Sequence, residues 1–144
     1  MALSTLMVDT DVFSYITATN PRRGQPYKRH LDGQTIALSF VTAGELYAGY
    51  EKRIRKGDWP EARRLKLESL LSGVVIVPYD AEICRTYGRL RATLKNPDGT
   101  DRIIAPNDLW IAACAVRHSL ALVTNNRKHF QNIPGLTLIS EAPL

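Results

Sequence analysis

The chain has 144 residues, of which 44% are hydrophobic and 23% charged, and its formal net charge at pH 7 is +5. This length and composition predict one globular domain over residues 1–144 and exclude a disordered or fibrous protein. Because no apolar run is long enough to cross a bilayer and the N-terminus lacks a basic leader, we expect a cytoplasmic protein without membrane association.

Apolar runs separated by turn residues predict alternating strands and helices in the first part of the chain. Residues 6–8 predict a short buried strand, followed by a helix from about Asp11 that ends near Pro21. A polar loop is expected to continue to Gly33. Residues 36–40 then predict the second strand.

Capping patterns predict two helices in the middle of the chain. Thr42 is expected to cap a helix that carries Glu45 in its first turn. Asp58 and Glu61 resemble a capping pair that opens another helix through about residue 71.

The second half of the chain continues the alternation. Asp80 begins a periodic amphipathic helix, and after a loop at residues 96–106 either Asn107 or Asp108 begins an almost wholly apolar helix. Further strands are predicted at residues 74–77, 121–124 and 136–139. This order predicts an α/β fold, a three-layer α/β/α sandwich with a central, mainly parallel sheet.

The cysteines and histidines favour no zinc or redox site. Cys84 and Cys114 lie in predicted helices among apolar residues, where a small buried side chain is the common arrangement, and they form no CxxC motif. We interpret the three histidines, His30, His118 and His129, as non-ligands, because no two of them have metal-ligand spacing.

Three acidic residues form the main candidate site. Asp9 follows the first strand, Glu45 follows the second, and Asp108 opens the apolar helix. Because the carboxyl ends of parallel strands meet at one edge of a sheet, these acids are expected to converge. Carboxylate oxygens are the ligands that Mg²⁺ and Mn²⁺ prefer, so the pattern predicts a shared cation site.

Acids near helix N-termini also have a structural explanation. Asp108 or Glu45 can act as a cap or favour the helix dipole, and for Asp11 we favour that structural role. Thr10, between the two aspartates, is placed to direct its hydroxyl towards a metal-bound water or a phosphate. A carboxylate beside a helix as apolar as the one at Asp108 usually has a partner such as a cation.

Basic residues cluster in several segments and are compatible with a polyanionic partner. Those that could flank the site and bind RNA are Arg22, Arg23, Lys28, Arg29, Arg127 and Lys128. For the basic run at residues 63–66, a solvated helix face is the simpler interpretation.

Four sequence blocks, in order, resemble the PIN-domain nucleases and, within them, the VapC-type toxins of toxin/antitoxin modules. The blocks are residues 8–15 (VDTDVFSY), 39–49 (SFVTAGELYAG), 107–115 (NDLWIAACA) and 122–130 (LVTNNRKHF). The resemblance implies a Mg²⁺- or Mn²⁺-dependent endoribonuclease with a PIN-like sandwich, usually dimeric and silenced by a cognate antitoxin.

The resemblance also assigns residues. Asp9, Glu45 and Asp108 match the catalytic metal-binding acids, and Thr124 matches a small hydroxyl position. Relatives often carry an acid at the position of Asn126 or of His129, and this chain has neither. Asn125 and Asn126 can still orient water or bind a metal through a carbonyl oxygen. The implied mechanism is metal-assisted phosphodiester hydrolysis.

Two other interpretations remain open at the level of sequence. Residues 9–11 and 122–125 superficially resemble motifs of the haloacid dehalogenase phosphatases, but no aspartate follows Asp108. Alternatively, the domain has lost cleavage and binds RNA or a partner. Tyr15, Tyr27 and Trp110 are interpreted as core or interface residues rather than base-stacking groups. The helices at about residues 43–71 are the expected seat of an antitoxin.

Overall fold

The structure of the protein, a computed structural model, describes residues 4–18 and 21–143. These residues form five strands: β1 (Thr5–Val8), β2 (Thr35–Ser39), β3 (Val75–Val77), β4 (Leu122–Val123) and β5 (Leu138–Ile139). They also form seven helices: α1 (Thr10–Thr17), α2 (Pro21–Leu31), α3 (Phe40–Arg55), α4 (Arg63–Ser72), α5 (Ala81–Thr93), α6 (Pro106–Arg117) and α7 (Arg127–Phe130). The strands form one sheet in the order β3-β2-β1-β4-β5, and every pair is parallel. The predicted α/β sandwich is confirmed.

Alternation along the strands divides the core into two layers. One face of the sheet packs against α5 and α6 through residues that include Met7, Ala37 and Leu122. The opposite face packs against α1 to α4 through the next residue of each of these strands, Val8, Leu38 and Val123. Because both faces of the central strands are covered, most of their residues are apolar, as in parallel strands generally.

Helix α2 occupies a segment for which the sequence predicted a polar loop, so that prediction is wrong. Pro26 and Gly24 both disfavour a helix interior. The helix forms because Tyr27 and Leu31 are buried in the core. Gly24 lies against α1: a Cβ atom at this position would be 2.5 Å from the carbonyl oxygen of Tyr15. Tertiary packing therefore overrides local propensity.

Two predicted helix starts are also corrected. Ser39, not Thr42, caps α3: its Oγ accepts a hydrogen bond of 3.0 Å from the Thr42 backbone N–H, and Glu45 lies beyond the first turn. Asp58 and Glu61 do not open α4, which begins at Arg63 without a side-chain cap. By contrast, Asp80 caps α5 as the sequence indicated, accepting from the Ile83 N–H.

Three smaller observations complete the fold. Cys114 is buried as expected, whereas Cys84 is exposed on α5, so its predicted burial is wrong. The short helix α7 was not predicted, because its basic sequence gives no apolar period. None of the helices in the described residues is long and apolar enough to cross a membrane.

Candidate active site

The candidate site lies at the carboxyl edge of the sheet beside β1, its central strand. From β1 the chain adds β2 and β3 on one side, and then returns to add β4 and β5 on the other side. Such a reversal of strand order opens a crevice at the carboxyl edge of the sheet. The residues that directly follow these three strands are Asp9, Phe40 and Thr124. The topology therefore brings together the first and the last of the four sequence blocks, residues 8–15 and 122–130.

Asp9 is the centre of the site. Its side chain is nearly inaccessible to solvent, with 3% of the residue exposed. Oδ1 accepts a hydrogen bond of 2.7 Å from the Thr10 backbone N–H, and Oδ2 accepts one of 2.7 Å from the Thr124 hydroxyl. Both carboxylate oxygens are thus fixed by residues that the sequence had selected.

The pKa of Asp9 is raised to about 7, first by burial and then by the nearby carboxylate of Asp11, with a smaller contribution from Asp108. The hydrogen bonds from Thr124 and Thr10 oppose this rise in pKa, because they favour the ionised carboxylate. Burial of a carboxylate among other carboxylates is unfavourable without a proton or a cation.

Glu45 reaches the same edge from α3 and contacts Thr10. The Thr10 hydroxyl donates a hydrogen bond of 2.7 Å to Oε1 of Glu45 and lies 3.2 Å from the hydroxyl of Thr42. Thr10 therefore links Glu45 to the residue next to Asp9. Thr42 was predicted only as a cap, and its place in this network was not predicted.

Asp108 lies in the first turn of α6, where its Oδ2 is 2.9 Å from Nδ1 of His129 on α7. The side chain of Asp108 is 20% exposed and that of His129 is 58% exposed, so this pair lies at the open side of the site. Sequence reasoning excluded His129 as a ligand but did not identify it as a partner of Asp108. No local pattern connects residues on two different helices.

Asn125 is held in place by a residue that the sequence placed in the core. The buried Tyr27 hydroxyl donates a hydrogen bond of 2.6 Å to Oδ1 of Asn125 and accepts one of 3.1 Å from the Glu141 N–H. The Asn126 N–H donates to the hydroxyl of Thr124 at 3.0 Å, while the Asn126 side chain is exposed. The buried Tyr27 hydroxyl thus fixes the side chain of Asn125 beside the site.

Asp11, for which the sequence favoured a structural role, lies two residues after Asp9 in the first turn of α1. It is half-buried and accepts a hydrogen bond of 2.7 Å from the Val12 N–H. Burial raises its pKa, while hydrogen bonds from the backbone of Val12 and Asn125 and a contact with the carboxyl group of Asp9 lower it.

The predicted RNA-binding cations lie in two regions. Arg22, Arg23, Lys28 and Arg29 are exposed on α2, and Lys128 lies on α7 beside the cavity that Asp108 and His129 line. Arg127 is engaged elsewhere, because its guanidinium donates to the carbonyl oxygens of Ser140 and Ala142 at 3.0 and 3.3 Å.

The donor set fits a hard divalent cation by its chemistry. Among the described residues, no lysine, arginine or histidine forms an ion pair with Asp9, Asp11 or Glu45. As placed, no three acidic, histidine or cysteine side chains within residues 4–18 and 21–143 converge closely enough to hold one ion. Glu45 is turned towards Thr10 and Asp108 towards His129, and side-chain rotations of this kind are common on binding.

Fold and site together define a class of protein: a wholly parallel α/β/α sandwich with an acidic cluster where the strand order reverses. Comparison with known proteins then identifies the family. The model of the PIN domain family matches residues 6–136. Ribonuclease VapC2 of Rickettsia felis is 35% identical over 136 residues, with 92% of this chain and 94% of the relative covered. The chain therefore belongs to the PIN-domain family and, within it, to the VapC ribonucleases.

Solved structures agree with this assignment. The crystal structure of VapBC2 from Rickettsia felis, bound to a DNA fragment from its promoter, matches with a TM-score of 0.74 and 32% identity, covering 94% of this chain and 98% of that chain. A second match, VapBC-5 from Mycobacterium tuberculosis, is a member of a toxin-antitoxin family and gives a TM-score of 0.66 at 26% identity, with 94% and 98% covered. The resemblance to dehalogenase phosphatases is thereby set aside.

Proposed function

We propose that this chain is an endoribonuclease toxin that hydrolyses RNA phosphodiester bonds with Mg²⁺ or Mn²⁺ bound by Asp9, Glu45 and Asp108. The observation that carries the proposal is the carboxylate of Asp9, buried next to Asp11 and Asp108 and without a basic ion-pair partner among the described residues. Such an arrangement favours a cation. The relationship to ribonucleases of the VapC family supports RNA as the substrate.

The residues of the site divide into ligands and supporting groups. When bound, the ion supplies an activated water and neutralises charge that develops on the phosphoryl oxygens. Thr124 orients Asp9, and Thr10 orients Glu45. Asn125 and Asn126 would orient water, while the exposed cations of α2 and Lys128 would hold the RNA backbone by charge.

Cleavage of total cellular RNA by the purified protein tests this function. We expect fragments with Mg²⁺ or Mn²⁺, none with chelator, and loss of cleavage in the Asp108→Asn variant. Asp32→Asn is the matched control, because Asp32 is exposed in the turn after α2. RNA that binds the protein but stays intact under every condition would instead support a binding module without catalysis.

A groove between α1 and α2 on one side and α3 and α4 on the other supports an antitoxin as partner. It has a volume of about 540 Å³, and its apolar floor includes Phe13, Leu46 and Leu67. Arg53 and Arg63 each lie 4.6 Å from the ring centre of Trp59 at its rim. An amphipathic segment with acidic residues fits this surface.

Arg63→Glu tests the seat of the antitoxin. The variant reverses a charge at the rim of the groove and should weaken co-purification with a co-expressed antitoxin. Undiminished co-purification would place the antitoxin elsewhere.

We also propose that the chain acts as a single cytoplasmic domain that forms homodimers. The edge strand β3 and the loop after it support the dimer, because they expose the apolar residues Val75, Ile76 and Tyr79. Sedimentation equilibrium of the purified chain measures the oligomeric state, and a monomer at all concentrations would contradict this proposal.

A further inference from the structure

A groove runs away from the acidic site between α7 and the loop that joins α5 to α6, residues 94–105. It consists of two adjoining cavities of about 200 and 420 Å³, and Arg102 and Lys128 line both of them. The smaller cavity also borders Asp108 and His129, so the groove is continuous with the site at the carboxyl edge of the sheet. We call this surface, lined by residues 95–97, 102–105, 128–129 and 131–132, the loop groove.

Arg102 holds the two walls of the loop groove together. Its guanidinium donates hydrogen bonds of 2.6 and 3.1 Å to the carbonyl oxygens of Gln131 and His129 at the end of α7. The loop itself closes a tight turn, in which the Asn96 N–H donates to the Thr100 carbonyl oxygen at 2.8 Å. The groove is therefore preformed, as binding sites usually are.

The loop groove carries positive charge that no carboxylate neutralises. Arg102 donates to neutral carbonyl groups, and within the part of the chain that the structure describes neither Arg102 nor Lys128 forms an ion pair. A guanidinium at a helix C-terminus has a structural explanation by itself, because it binds the last carbonyl groups. An exposed lysine is also ordinary, but two uncompensated cations that line one groove favour a polyanion.

The loop groove also offers an apolar surface and polar groups beside these cations. Ile103 is 79% exposed and lines the smaller cavity next to Asp108. A single exposed isoleucine needs no functional explanation. Cations and an apolar surface in one groove, however, match the phosphate backbone and unpaired bases of single-stranded RNA. The larger cavity adds side chains that can form hydrogen bonds with base edges: Asn96, Gln131 and Asn132.

We propose that the loop groove binds the single-stranded segment of RNA on one side of the cleaved bond, with Arg102 and Lys128 holding phosphates and Ile103 contacting a base. This inference rests on the ribonuclease function proposed above and adds Arg102 and Ile103 to the residues that contact the substrate. Because the groove leads to Asp108, a strand held in it is directed towards the acidic edge.

Fluorescence anisotropy of a labelled single-stranded RNA of random sequence, measured in chelator, tests the inference without cleavage. Lys128→Ala should bind more weakly and reduce the slope of log affinity against log salt concentration by about 0.7, the value for one phosphate contact on a single strand. Ile103→Ala should weaken binding at least about threefold, the effect of losing one buried methylene group. The matched control Lys56→Ala, at an exposed lysine after α3, should bind as the unmodified protein does.

The outcomes separate this inference from the proposed function. If Lys128→Ala and Ile103→Ala bind the RNA as the unmodified protein does, with the same salt dependence, the strand lies elsewhere and the inference is overturned. An unmodified protein that binds no RNA in chelator also overturns it, whereas cleavage of total RNA decides the proposed function separately. Variants that keep RNA binding but lose co-purification with the antitoxin would assign the loop groove to the protein partner. Both substituted side chains are exposed, and thermal melting verifies that the variants are folded.

Discussion

At the scale of single residues, the orientation of Asp9 depends on the hydroxyl of Thr124. This buried hydroxyl donates to Asp9 and accepts from the Asn126 N–H, so it fixes a carboxylate and the following loop together. A threonine can do both because its hydroxyl has one donor and two acceptor positions.

Thr124→Val removes this hydroxyl while keeping the shape of the side chain. We expect RNA cleavage to fall about 10- to 100-fold, as it does when a group supporting a metal ligand is lost. In the metal-free protein the pKa of Asp9 should also rise further, because the Thr124 hydrogen bond lowers it. The cleavage rate measures the first effect and the pH dependence of urea unfolding in chelator measures the second, with the exposed Thr93→Val as control. If neither changed, Thr124 would not be needed to position Asp9.

Where the chemistry of a residue type is restrictive, the sequence pointed to side chains that lie close together in the structure. Asp9, Thr10, Glu45 and Thr124 were selected from the sequence, and the structure connects them through hydrogen bonds. Asp11 was given a structural role because a first-turn acid has an adequate local explanation, and its hydrogen bond from the Val12 N–H is consistent with that role. The roles of all these residues in metal binding remain predictions.

At the scale of elements, the packing of α2 on α1 depends on the absence of a side chain at Gly24. The helix crosses close to the Tyr15 carbonyl, and the space left for a Cβ atom is too small. This contact places Tyr27 so that its hydroxyl reaches Asn125. If this segment were a loop, Tyr27 would not be held in place to donate its hydrogen bond to Asn125.

Gly24→Ala should therefore destabilise the protein, although alanine usually favours a helix. Overpacking of this kind costs about 1–3 kcal/mol in the free energy of unfolding. Gly49→Ala in α3 is the matched control, because nothing lies within 4 Å of a Cβ atom there, and it should stabilise the helix by about 0.5–1 kcal/mol. Urea unfolding measures both; equal effects of the two substitutions would contradict the close packing.

Elements with an apolar period were predictable, whereas those stabilised by distant contacts were not. The five strands and the helices α5 and α6 follow from apolar runs and from the Asp80 cap. Helix α2 was missed because Gly24 and Pro26 oppose a helix locally, and its stability comes from Tyr27 and Leu31 in the core. The error at Thr42 arose because Ser39 and Thr42 are both good capping residues.

At the scale of the whole molecule, the pKa of Asp9 makes the stability of the metal-free protein depend on pH. The pKa is about 7 in the folded state against an ordinary value of 3.8, so the folded protein binds the proton more tightly. The resulting stabilisation is complete below about pH 4 and is lost as the pH rises towards and through 7, with a slope of at most about 1.4 kcal/mol per pH unit.

Urea unfolding in chelator between pH 4.5 and 7.5 measures this dependence. The free energy of unfolding should decline with pH more steeply in the unmodified protein than in Asp9→Asn, which removes the titrating group. Added Mn²⁺ should reduce the decline, because a cation binds the ionised carboxylate. Parallel curves for the two proteins would show that Asp9 does not titrate in this range.

The pairing of β1 with β4 also determines when the acidic edge can exist. Asp9 and Thr124 are 115 positions apart, and the β1 residues Met7 and Val8 pair with Leu122 and Val123. A growing chain that still lacks these last residues leaves one side of β1 unpaired and Asp9 without its buried donor. The acidic edge is consequently completed only after residues 122–124 have been synthesised and β4 has paired with β1.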